Sequence, residues 1–294
     1  MLKFKQFKKS DISVVLLLYN TPKGKIENLI NYKGYNIYIL DQSNDHITKK
    51  KLLKLLPNIK FYKVTNTNKG FARGINYLSK RIKTKFFLCT QIDVIIKKES
   101  IDKLIEPFNI YNDCIITIPN LDKRSYDLNS KKKFVKVDNF IGAIFLANNF
   151  KFKKIGKFDE NYFFYWEDVD LSKRILFSKN YNIYRCNNIK ALHFNSKSTK
   201  KSIKSEYIRI SNFKFGEYYF EYKFNNLKVI KLLREPLKRY IFIFIYLVLL
   251  KKKSFYNNLF NILGIFKFFF LLLKKLVNKF FKIMGRHEKN SSYL

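Results

Sequence analysis

The stretch "ISVVLLLYN", residues 12–20, is a continuous apolar run of strand length that ends in polar residues. A strand without polar alternation is buried on both faces, as in parallel sheets that are covered by helices on each side. The next run of this kind is "NIYILDQSND", residues 36–45, and the segment between the two has a helical pattern. The pair therefore predicts the beginning of an alternating α/β domain.

The same alternation continues to about residue 120. Three further strand-like runs follow: "IKFYKVTN" (59–66), "KFFLCTQIDV" (85–94) and "CIITIPN" (114–120). The helix-like stretches are "KIENLINY" (25–32), "TKKKLLKLLP" (48–57), "GFARGINYLSKRI" (70–82) and "ESIDKLIEPF" (99–108). We predict a mostly parallel central sheet flanked by helices, with ligands bound beyond the carboxyl ends of the strands. The polar residues expected there include Tyr19, Asn20, Thr21, Asp41, Gly70, Gln91 and Asp93.

Composition limits the class of protein and its partners. The chain has 59 basic and 22 acidic residues, a net charge of +37, which favours nucleic acid, an anionic membrane face or phosphorylated ligands as partners. Its three cysteines lie far apart, which excludes a disulfide scaffold and a Cys-rich zinc site and suits a reducing compartment. The N-terminus lacks the apolar core of a secretion signal, so we expect none.

The character of the chain changes near residue 200, so we divide it into a domain at 10–200 and a helical region at 201–294. The runs "RYIFIFIYLVLL" (239–250) and "LFNILGIFKFFFLLL" (259–273) are strongly apolar and bounded by lysines. Both are shorter than the ~18–20 apolar residues of a spanning helix. They predict helices that lie in an anionic membrane interface. The alternative is a helical subdomain packed on the core.

The stretch "FDENYFFYWEDVDLSKR", residues 158–174, places three carboxylates within four positions beside the only tryptophan. Acidic residues in the first turn of a helix complement its dipole, which is the simple explanation. The alternative is catalytic, because Tyr165 and Trp166 supply a partly desolvated wall that raises the basicity of a carboxylate and stacks on a sugar ring. Glu167 and Asp168 are the candidate acids.

Two other features have a structural and a functional interpretation. His193 follows a strand-like run, and with Asp93 it could bind a divalent cation that carries a diphosphate, since carboxylate and imidazole suit Mn²⁺ or Mg²⁺. Gly70 and Gly74 allow the backbone to approach phosphates or a sugar closely. Ordinary turn and packing roles would explain these residues as well.

The ordered set of motifs resembles the family 2 glycosyltransferases, and most closely the rhamnosyltransferase-like branch that acts on surface polysaccharides. The resemblance covers about residues 10–200 and implies a GT-A fold, a nucleotide-diphosphate sugar donor, a divalent metal ion and inversion at the anomeric carbon. The motifs are "ISVVLLLYN", "IYILDQSND", "NTNKGFARGIN", "FFLCTQIDV", "FIGAIFLANNFKFKKIGKFDENYFFYWEDVDLSKR" and "ALHFNSKS".

The resemblance also implies roles for donor-binding residues. Asp41 would contact the nucleotide base, beside a pocket wall formed by Tyr19, Asn20 and Thr21. The ribose and diphosphate region would be lined by Gly70, Arg73 and Asn76. Asp93 and His193 would bind the metal ion, and Gln91 stands where many relatives have the first Asp of a D-x-D element, so the metal would have one carboxylate fewer.

On the acceptor side, the resemblance assigns Asp168 as the catalytic base and Gly142 to backbone that passes close to the sugar. Glu167 and Trp166 would shape the acceptor pocket. The implied acceptor is a glycan, with a lipid-linked oligosaccharide favoured by the basic C-terminal helices. We accordingly expect a bacterial enzyme of the cytoplasm, peripheral on the cytoplasmic face of the inner membrane.

Two alternatives from other classes remain open. One is a nucleic-acid-binding protein, which the charge and the interleaved aromatic residues permit. The chain has no recognisable helix-turn-helix, zinc finger or RNP-like motif, and its basic residues are spread along it, so we expect no nucleic acid partner. The other is a catalytically inactive protein of the same fold that interacts with membranes. It would be favoured if Asp93, Asp168 and His193 did not converge.

Overall fold

The computed structural model describes residues 7–21, 23–43, 47–65, 67–121, 132–194 and 202–291. The chain forms two compact units, Met1–Lys201 and Ser202–Leu294. Asn66 of the "NTNKGFARGIN" motif and residues 195–198 of the "ALHFNSKS" motif lie outside the described residues.

The first unit is built on one sheet, which has nine strands in its described part. Their order is β3-β2-β1-β4-β8-β6-β9-β5, and β7 pairs with β9. The strands are β1 Ile12–Leu18, β2 Asn36–Asp41, β3 Ile59–Val64, β4 Phe86–Thr90, β5 Val94–Ile96, β6 Cys114–Leu121, β7 Phe134–Val137, β8 Ile144–Asn148 and β9 Asn182–His193. Strands β3, β2, β1 and β4 run parallel, and β8 lies antiparallel between β4 and β6.

Helices cover this sheet, which confirms the predicted α/β class. They are α1 Ile47–Leu55, α2 Phe71–Ser79, α3 Lys98–Lys103, α4 Glu106–Ile110, α5 Asn149–Lys154 and α6 Glu167–Ser178. The segment predicted as a helix at 25–32 is a 3₁₀ helix, Lys23–Tyr32. The helix predicted at 99–108 is divided into α3 and α4. Pro107 occupies the first turn of α4, where backbone N–H groups have no intrahelical acceptor, so the N–H that proline lacks costs no hydrogen bond.

The apolar runs are continuous because both faces of the sheet are buried. In β1, Val14 and Leu16 pack into one hydrophobic cluster and Val15 into the other, on the opposite face. In β4, Leu88 packs into the first of these clusters and Phe87 into the second. All five side chains are fully buried, so neither face leaves room for polar alternation.

The strand register brings the predicted site residues to one edge of the sheet. The parallel strands β2, β1 and β4 all end there, and the antiparallel strand β8 begins there. Strand β9 is parallel to β6 and also ends there, beside the first residue of β5. The paired positions nearest this edge are Leu18 with Asp41, Leu16 with Thr90, Thr90 with Ile144, and Val94 with His193.

The second unit is helical, with α7 Ile203–Lys223, α8 Val229–Val248 and α9 Lys252–Ser291. Helix α7 begins with a capping box in which Ser202 and Ser205 each accept a hydrogen bond from the other's backbone N–H. Helix α9 packs along both α7 and α8. Among the helices in the described ranges, none combines the length and the apolar character that crossing a membrane requires.

Candidate active site

Asp168 stands in the first turn of α6 with its carboxylate fixed by two backbone donors. The N–H of Gly142 donates to Oδ2 at 2.8 Å, and the N–H of Val169 donates to Oδ1 at 2.8 Å. The preceding residues Tyr165 and Trp166 both have positive φ, 71° and 73°, an unusual backbone for side chains of this size. This strained turn sets the direction in which α6 leaves the sheet edge, and strain of this kind is characteristic of functional sites.

Gly142 lies immediately before β8 and links Asp168 to the end of β4. Its carbonyl accepts a long hydrogen bond, 3.5 Å, from the side-chain amide of Gln91. A Cβ at this position would lie 3.3 Å from the Phe71 ring and 3.6 Å from Asp168 Oδ2. Gly142 therefore links two predicted site residues, Gln91 and Asp168, by hydrogen bonds.

Glu167 differs from Asp168 in its surroundings, although the two are adjacent in sequence. Its side chain continues the buried stripe of α6 formed by Leu171 and Ile175, and the residue is only 5% exposed. Burial first, and then the negative charge of Asp168, hold the pKa of Glu167 well above its usual range. Its Oε2 atom is buried without a hydrogen-bond partner among the described residues. Glu167 is thus a carboxyl group that favours its protonated, hydrogen-donating form.

Asp93 and His193 are brought together by the pairing of β5 with β9. The Oδ2 atom of Asp93 lies 3.8 Å from Nε2 of His193, while Oδ1 is buried with no hydrogen-bond partner in the described part of the chain. Asp93 is 1% exposed, so an unsatisfied oxygen there is costly unless something binds it. A carboxylate and an imidazole suit Mn²⁺ or Mg²⁺, with a donor's phosphate oxygens as further ligands. No group of three or more acidic, histidine or cysteine side chains gathers for a metal within the described ranges.

Asp41, at the end of β2, is fully buried and already accepts several hydrogen bonds. Its Oδ1 accepts from the backbone N–H of Ser43 at 3.0 Å and from the Ser43 hydroxyl, and its Oδ2 accepts from the Tyr62 hydroxyl at 2.8 Å. The predicted wall residues follow β1: Tyr19 is half-buried, Asn20 is exposed with φ 46°, and Thr21 is buried.

Gly70, Arg73 and Asn76 contact the segment that leads into α6. A Cβ on Gly70 would come within 2.2 Å of the Phe163 carbonyl oxygen, which accepts a 2.8 Å hydrogen bond from the N–H of Phe71. These contacts and the φ of +85° give Gly70 a packing reason to lack a side chain.

Arg73 and Asn76 bind the segment before α6 through their side chains. The Asn76 amide donates to the carbonyl of Phe158 and accepts from its N–H, at 2.9 and 3.1 Å, and Arg73 Nε donates to the carbonyl of Glu160 at 3.2 Å. All three residues thus support the segment that delivers Asp168. A direct contact with the donor stays a prediction for them, and the buried hydrogen bonds of Asn76 do not favour it.

Two residues that support the site, Gln42 and Asn28, have no role assigned from the sequence motifs. The Gln42 amide binds the loop before α2, accepting from the N–H of Lys69 at 2.7 Å and donating to the carbonyl of Gly70 at 3.3 Å. The Asn28 amide donates to the carbonyl of Ile92 at 3.1 Å and so holds the turn that carries Asp93. Gln42 follows Asp41 directly in the sequence, so its place at the end of β2 can be predicted. Asn28 lies in a helical stretch 64 residues from its partner, where no local pattern indicates the contact.

Comparison with known proteins identifies the fold. No protein-family model matches the chain, and no curated protein has a significantly similar sequence. The mannosyltransferase PcManGT from Pyrobaculum calidifontis, solved in complex with GDP-Man and Mn²⁺, has a TM-score of 0.56 at 11% identity, over 88% of this chain and 87% of that one. GalNAc-T7, solved with UDP, GalNAc and Mn²⁺, has a TM-score of 0.56 at 13% identity over 71% of this chain.

The chain spans about half the length of GalNAc-T7, 49%, and nearly the whole of the mannosyltransferase. At these identities the likeness establishes the fold alone. The mixed α/β architecture, a mostly parallel sheet flanked by helices, is shared with these glycosyltransferases. The chain therefore has the GT-A fold that its sequence motifs predict.

Proposed function

We propose that the protein is an inverting glycosyltransferase, which moves a sugar from a nucleotide-diphosphate sugar to a hydroxyl group of a glycan acceptor. The observation that carries the proposal is the convergence of the fixed Asp168 carboxylate and the Asp93–His193 pair on one edge of the sheet. The fold is shared with two proteins solved with nucleotides or nucleotide-sugars and Mn²⁺, which supports the same donor class and a divalent cation.

Asp168 has the properties that the reaction demands of a general base. Its Oδ atoms take the proton of the acceptor hydroxyl as that oxygen attacks the anomeric carbon, and the nucleoside diphosphate leaves with the electron pair of its bond to the sugar. Because the hydroxyl attacks directly and in line, the configuration at carbon inverts and no covalent enzyme intermediate forms. Backbone hydrogen bonds from Gly142 and Val169 hold the base in one orientation throughout.

Asp93 and His193 would hold Mn²⁺ or Mg²⁺, which when bound stabilises the negative charge of the leaving diphosphate. Gln91 beside them is neutral where a D-x-D element has a carboxylate, so binding of the ion relies more on the phosphate oxygens of the donor. The unpartnered Oδ1 of Asp93 is the atom we assign to the ion.

The remaining residues divide between donor and acceptor. Asp41, with the wall of Tyr19, Asn20 and Thr21, binds the nucleoside end of the donor. Glu167, held protonated by burial and by the charge of its neighbour, donates a hydrogen bond to a sugar oxygen. Trp166 forms an apolar wall against a sugar ring.

The finer assignment concerns the sugar and its acceptor. We propose rhamnosyl transfer to a lipid-linked oligosaccharide in surface polysaccharide synthesis, by an enzyme peripheral on the cytoplasmic face of a bacterial inner membrane. Its support is the resemblance of the motifs and the basic, aromatic-rich C-terminal helices. Such helices favour a membrane surface, where a lipid-linked acceptor also resides.

The test is donor hydrolysis by the purified full-length protein across a panel of UDP-, GDP- and dTDP-sugars, with Mn²⁺, Mg²⁺ or EDTA. We expect slow release of a nucleoside diphosphate from one donor, lost in EDTA and restored by adding Mn²⁺. The anomeric configuration of the released sugar, read by NMR at early times, checks inversion. If no nucleotide-sugar in the panel is hydrolysed and the protein binds RNA or DNA tightly and in a salt-sensitive way, the proposal is overturned in favour of a nucleic-acid-binding protein.

A further inference from the structure

Helix α8 carries a continuous apolar stripe on its exposed side. The exposed residues recur at intervals of three or four positions, which is the period of one helical face. They are Ile230, Leu233, Leu237, Ile241, Phe244 and Val248, and each is more than half exposed. No residue of α8 is buried. An amphipathic helix in water normally turns such a stripe toward the protein interior, so its outward orientation requires an explanation.

The less exposed side of α8 is polar in the first half of the helix, at Lys231, Glu235 and Arg239, and apolar in the second half, at Phe242, Ile243 and Tyr246. Lys231 binds two carboxylates of α7, Glu221 at 2.6 Å and Glu217 at 2.5 Å. Farther along, Glu235 lies 3.5 Å from Arg239, whose guanidinium donates to the side chain of Asn258 of α9 at 3.1 Å. These partly buried ion pairs fix the rotation of α8 about its axis. The first half of the helix is therefore held with Lys231 toward α7 and Arg239 toward α9, which leaves the apolar stripe outward.

Helix α9 carries a second exposed apolar series. Its first half buries Phe260, Ile265 and Phe268 within the unit, the last of these against the Tyr218 ring of α7. From Phe266 onward an exposed apolar series begins on the other side of the helix. Its described members are Phe266, Phe269, Phe270, Leu273, Leu276, Val277, Phe280 and Phe281. We call the exposed stripe of α8 and this series together the outer face.

Cations surround the outer face. Residues 202–294 contain 19 basic residues and five acidic ones. Exposed cations lie along α8, at the turn that follows it and along α9; they are Arg234, Lys238, Lys251, Lys252, Lys253, Lys274, Lys275 and Lys279. Two such faces would repel each other if a second copy of the chain covered them, whereas a surface that is both apolar and anionic complements them.

We propose that the outer face docks on an anionic lipid bilayer and lies in its interface without crossing it. The apolar side chains would embed to the depth of the headgroup and acyl boundary, roughly 5–10 Å. The lysine and arginine stems would extend along the apolar surface and place their charges among the lipid phosphates. The internal ion pairs of α8 hold this geometry in advance, which lowers the entropic cost of docking. This inference stands whether or not the first unit is a transferase.

The experiment is co-sedimentation of the full-length protein with phosphatidylcholine vesicles, with and without phosphatidylglycerol. We expect strong binding to the anionic vesicles, weaker binding to the neutral ones, and weakening by salt. The double variant Leu237→Glu, Phe244→Glu should lower the partition coefficient at least about tenfold, because two apolar anchors become charges that anionic lipid repels. The matched control is Phe150→Glu on α5, since Phe150 is as exposed (72%) as Phe244 (69%) but lies outside the outer face.

The outcomes separate the possible occupants of the face. Equal binding by the double variant and the control, or no binding of the native protein to either vesicle, would overturn the proposal. A concentration-dependent dimer in sedimentation velocity that the double variant abolishes, without a vesicle-binding defect, would assign the face to a second copy instead. Circular dichroism of each variant verifies that the helices remain folded.

Discussion

The two units of this protein differ in how much apolar surface they leave exposed. Among the described residues, nine large apolar side chains are exposed in the first unit and 23 in the shorter second unit. The first unit buries apolar residues on both faces of its sheet and gathers three of its four described buried acids, Asp41, Asp93 and Glu167, where the strands end. The fourth, Asp170, pairs with Arg174. The second unit keeps ion pairs between its helices and leaves apolar residues outside.

This difference indicates which medium the surface of each unit contacts: water for the first unit, and an apolar medium for the outer face of the second. Apolar burial drives folding in water, so the first unit has the surface distribution of a domain that faces water, and the burial of Asp41, Asp93 and Glu167 is a cost that function explains. The second unit leaves more apolar surface in contact with water, and the proposed docking on lipid would cover its outer face.

Asp168→Asn removes the base without changing the size of the side chain. We expect kcat for transfer to fall by about 10²–10⁴-fold, since the amide cannot take the acceptor proton. Donor affinity, measured by calorimetry, should change little. The control is Glu27→Gln, an exposed acid of the same unit. A loss of less than tenfold would mean that Asp168 mainly caps α6 and that its position at the edge is structural.

Truncating one phenylalanine in each unit compares a buried side chain with an exposed one. Phe87 of β4 is fully buried, whereas Phe244 of α8 is 69% exposed. Phe87→Ala should lower the free energy of unfolding by about 3–5 kcal/mol because it leaves a cavity. Phe244→Ala should change it by less than ~0.5 kcal/mol in lipid-free buffer. Urea unfolding followed by circular dichroism measures both, and a large loss for Phe244→Ala would show that the outer face is packed.

Gly70→Ala tests the contact between α2 and the segment before α6. A Cβ there would meet the Phe163 carbonyl oxygen at 2.2 Å, on a backbone with φ +85°. We expect a loss of about 2–4 kcal/mol in unfolding free energy. Gly24→Ala is the matched control, because nothing lies within 4 Å of its added Cβ. Equal stability of the two variants would contradict the packing role assigned to Gly70.

His193→Ala tests the metal assignment. Removing one of two protein donors should raise the Mn²⁺ concentration for half-maximal donor hydrolysis by at least about tenfold, with kcat largely recovered at saturating Mn²⁺. An electron paramagnetic resonance titration of Mn²⁺ in the presence of the nucleoside diphosphate provides a readout apart from activity. An unchanged Mn²⁺ affinity would remove His193 from the site.

Glu167→Gln tests the buried carboxyl group through its pH dependence. Burial and the charge of Asp168 raise the folded-state pKa of Glu167 above its unfolded value near 4.5, so the folded protein retains a proton that the unfolded chain releases. Its contribution is therefore fully present below pH 4.5 and is lost as the pH rises toward the folded pKa. We expect Glu167→Gln to melt a few degrees higher than the native protein at pH 8 and nearly equally at pH 4. A difference of the opposite sign would mean that Glu167 is ionised and paired.

Much of the first unit follows from local sequence. The five apolar runs from 12 to 120 are the strands β1, β2, β3, β4 and β6. Near-continuous burial explains the pattern of β1, β4 and β6, whereas the edge strand β3 has no buried residue and contains two lysines. Strands β5, β7 and β8 are short or irregularly spaced and were not predicted from periodicity. The placement of Asp93 and His193 at one edge of the sheet follows from the rule that ligands bind where parallel strands end, whereas Asp168 is carried by the first turn of α6.

Other features depend on partners that lie far away in the chain. Gly70 and Asn76 match a donor-binding motif, yet they contact residues more than 80 positions later, at Phe163 and Phe158. A local pattern specifies which residue types are present, and it does not specify which backbone atoms a long-range fold will place against them. The distinction between a buried Glu167 and a backbone-bound Asp168 likewise arises from the direction of α6.

The α/β class, the motifs and the apolar, lysine-bounded runs of the C-terminal region can be recognised in the chain itself, because each is a pattern over a few residues. Which side of α8 faces outward depends on the packing of the folded unit. That choice is made by ion pairs from Lys231 to Glu217 and Glu221, whose energies depend on distances between helices. A periodic stripe predicts that a helix has an apolar side, and only packing decides whether that side faces a core or a membrane.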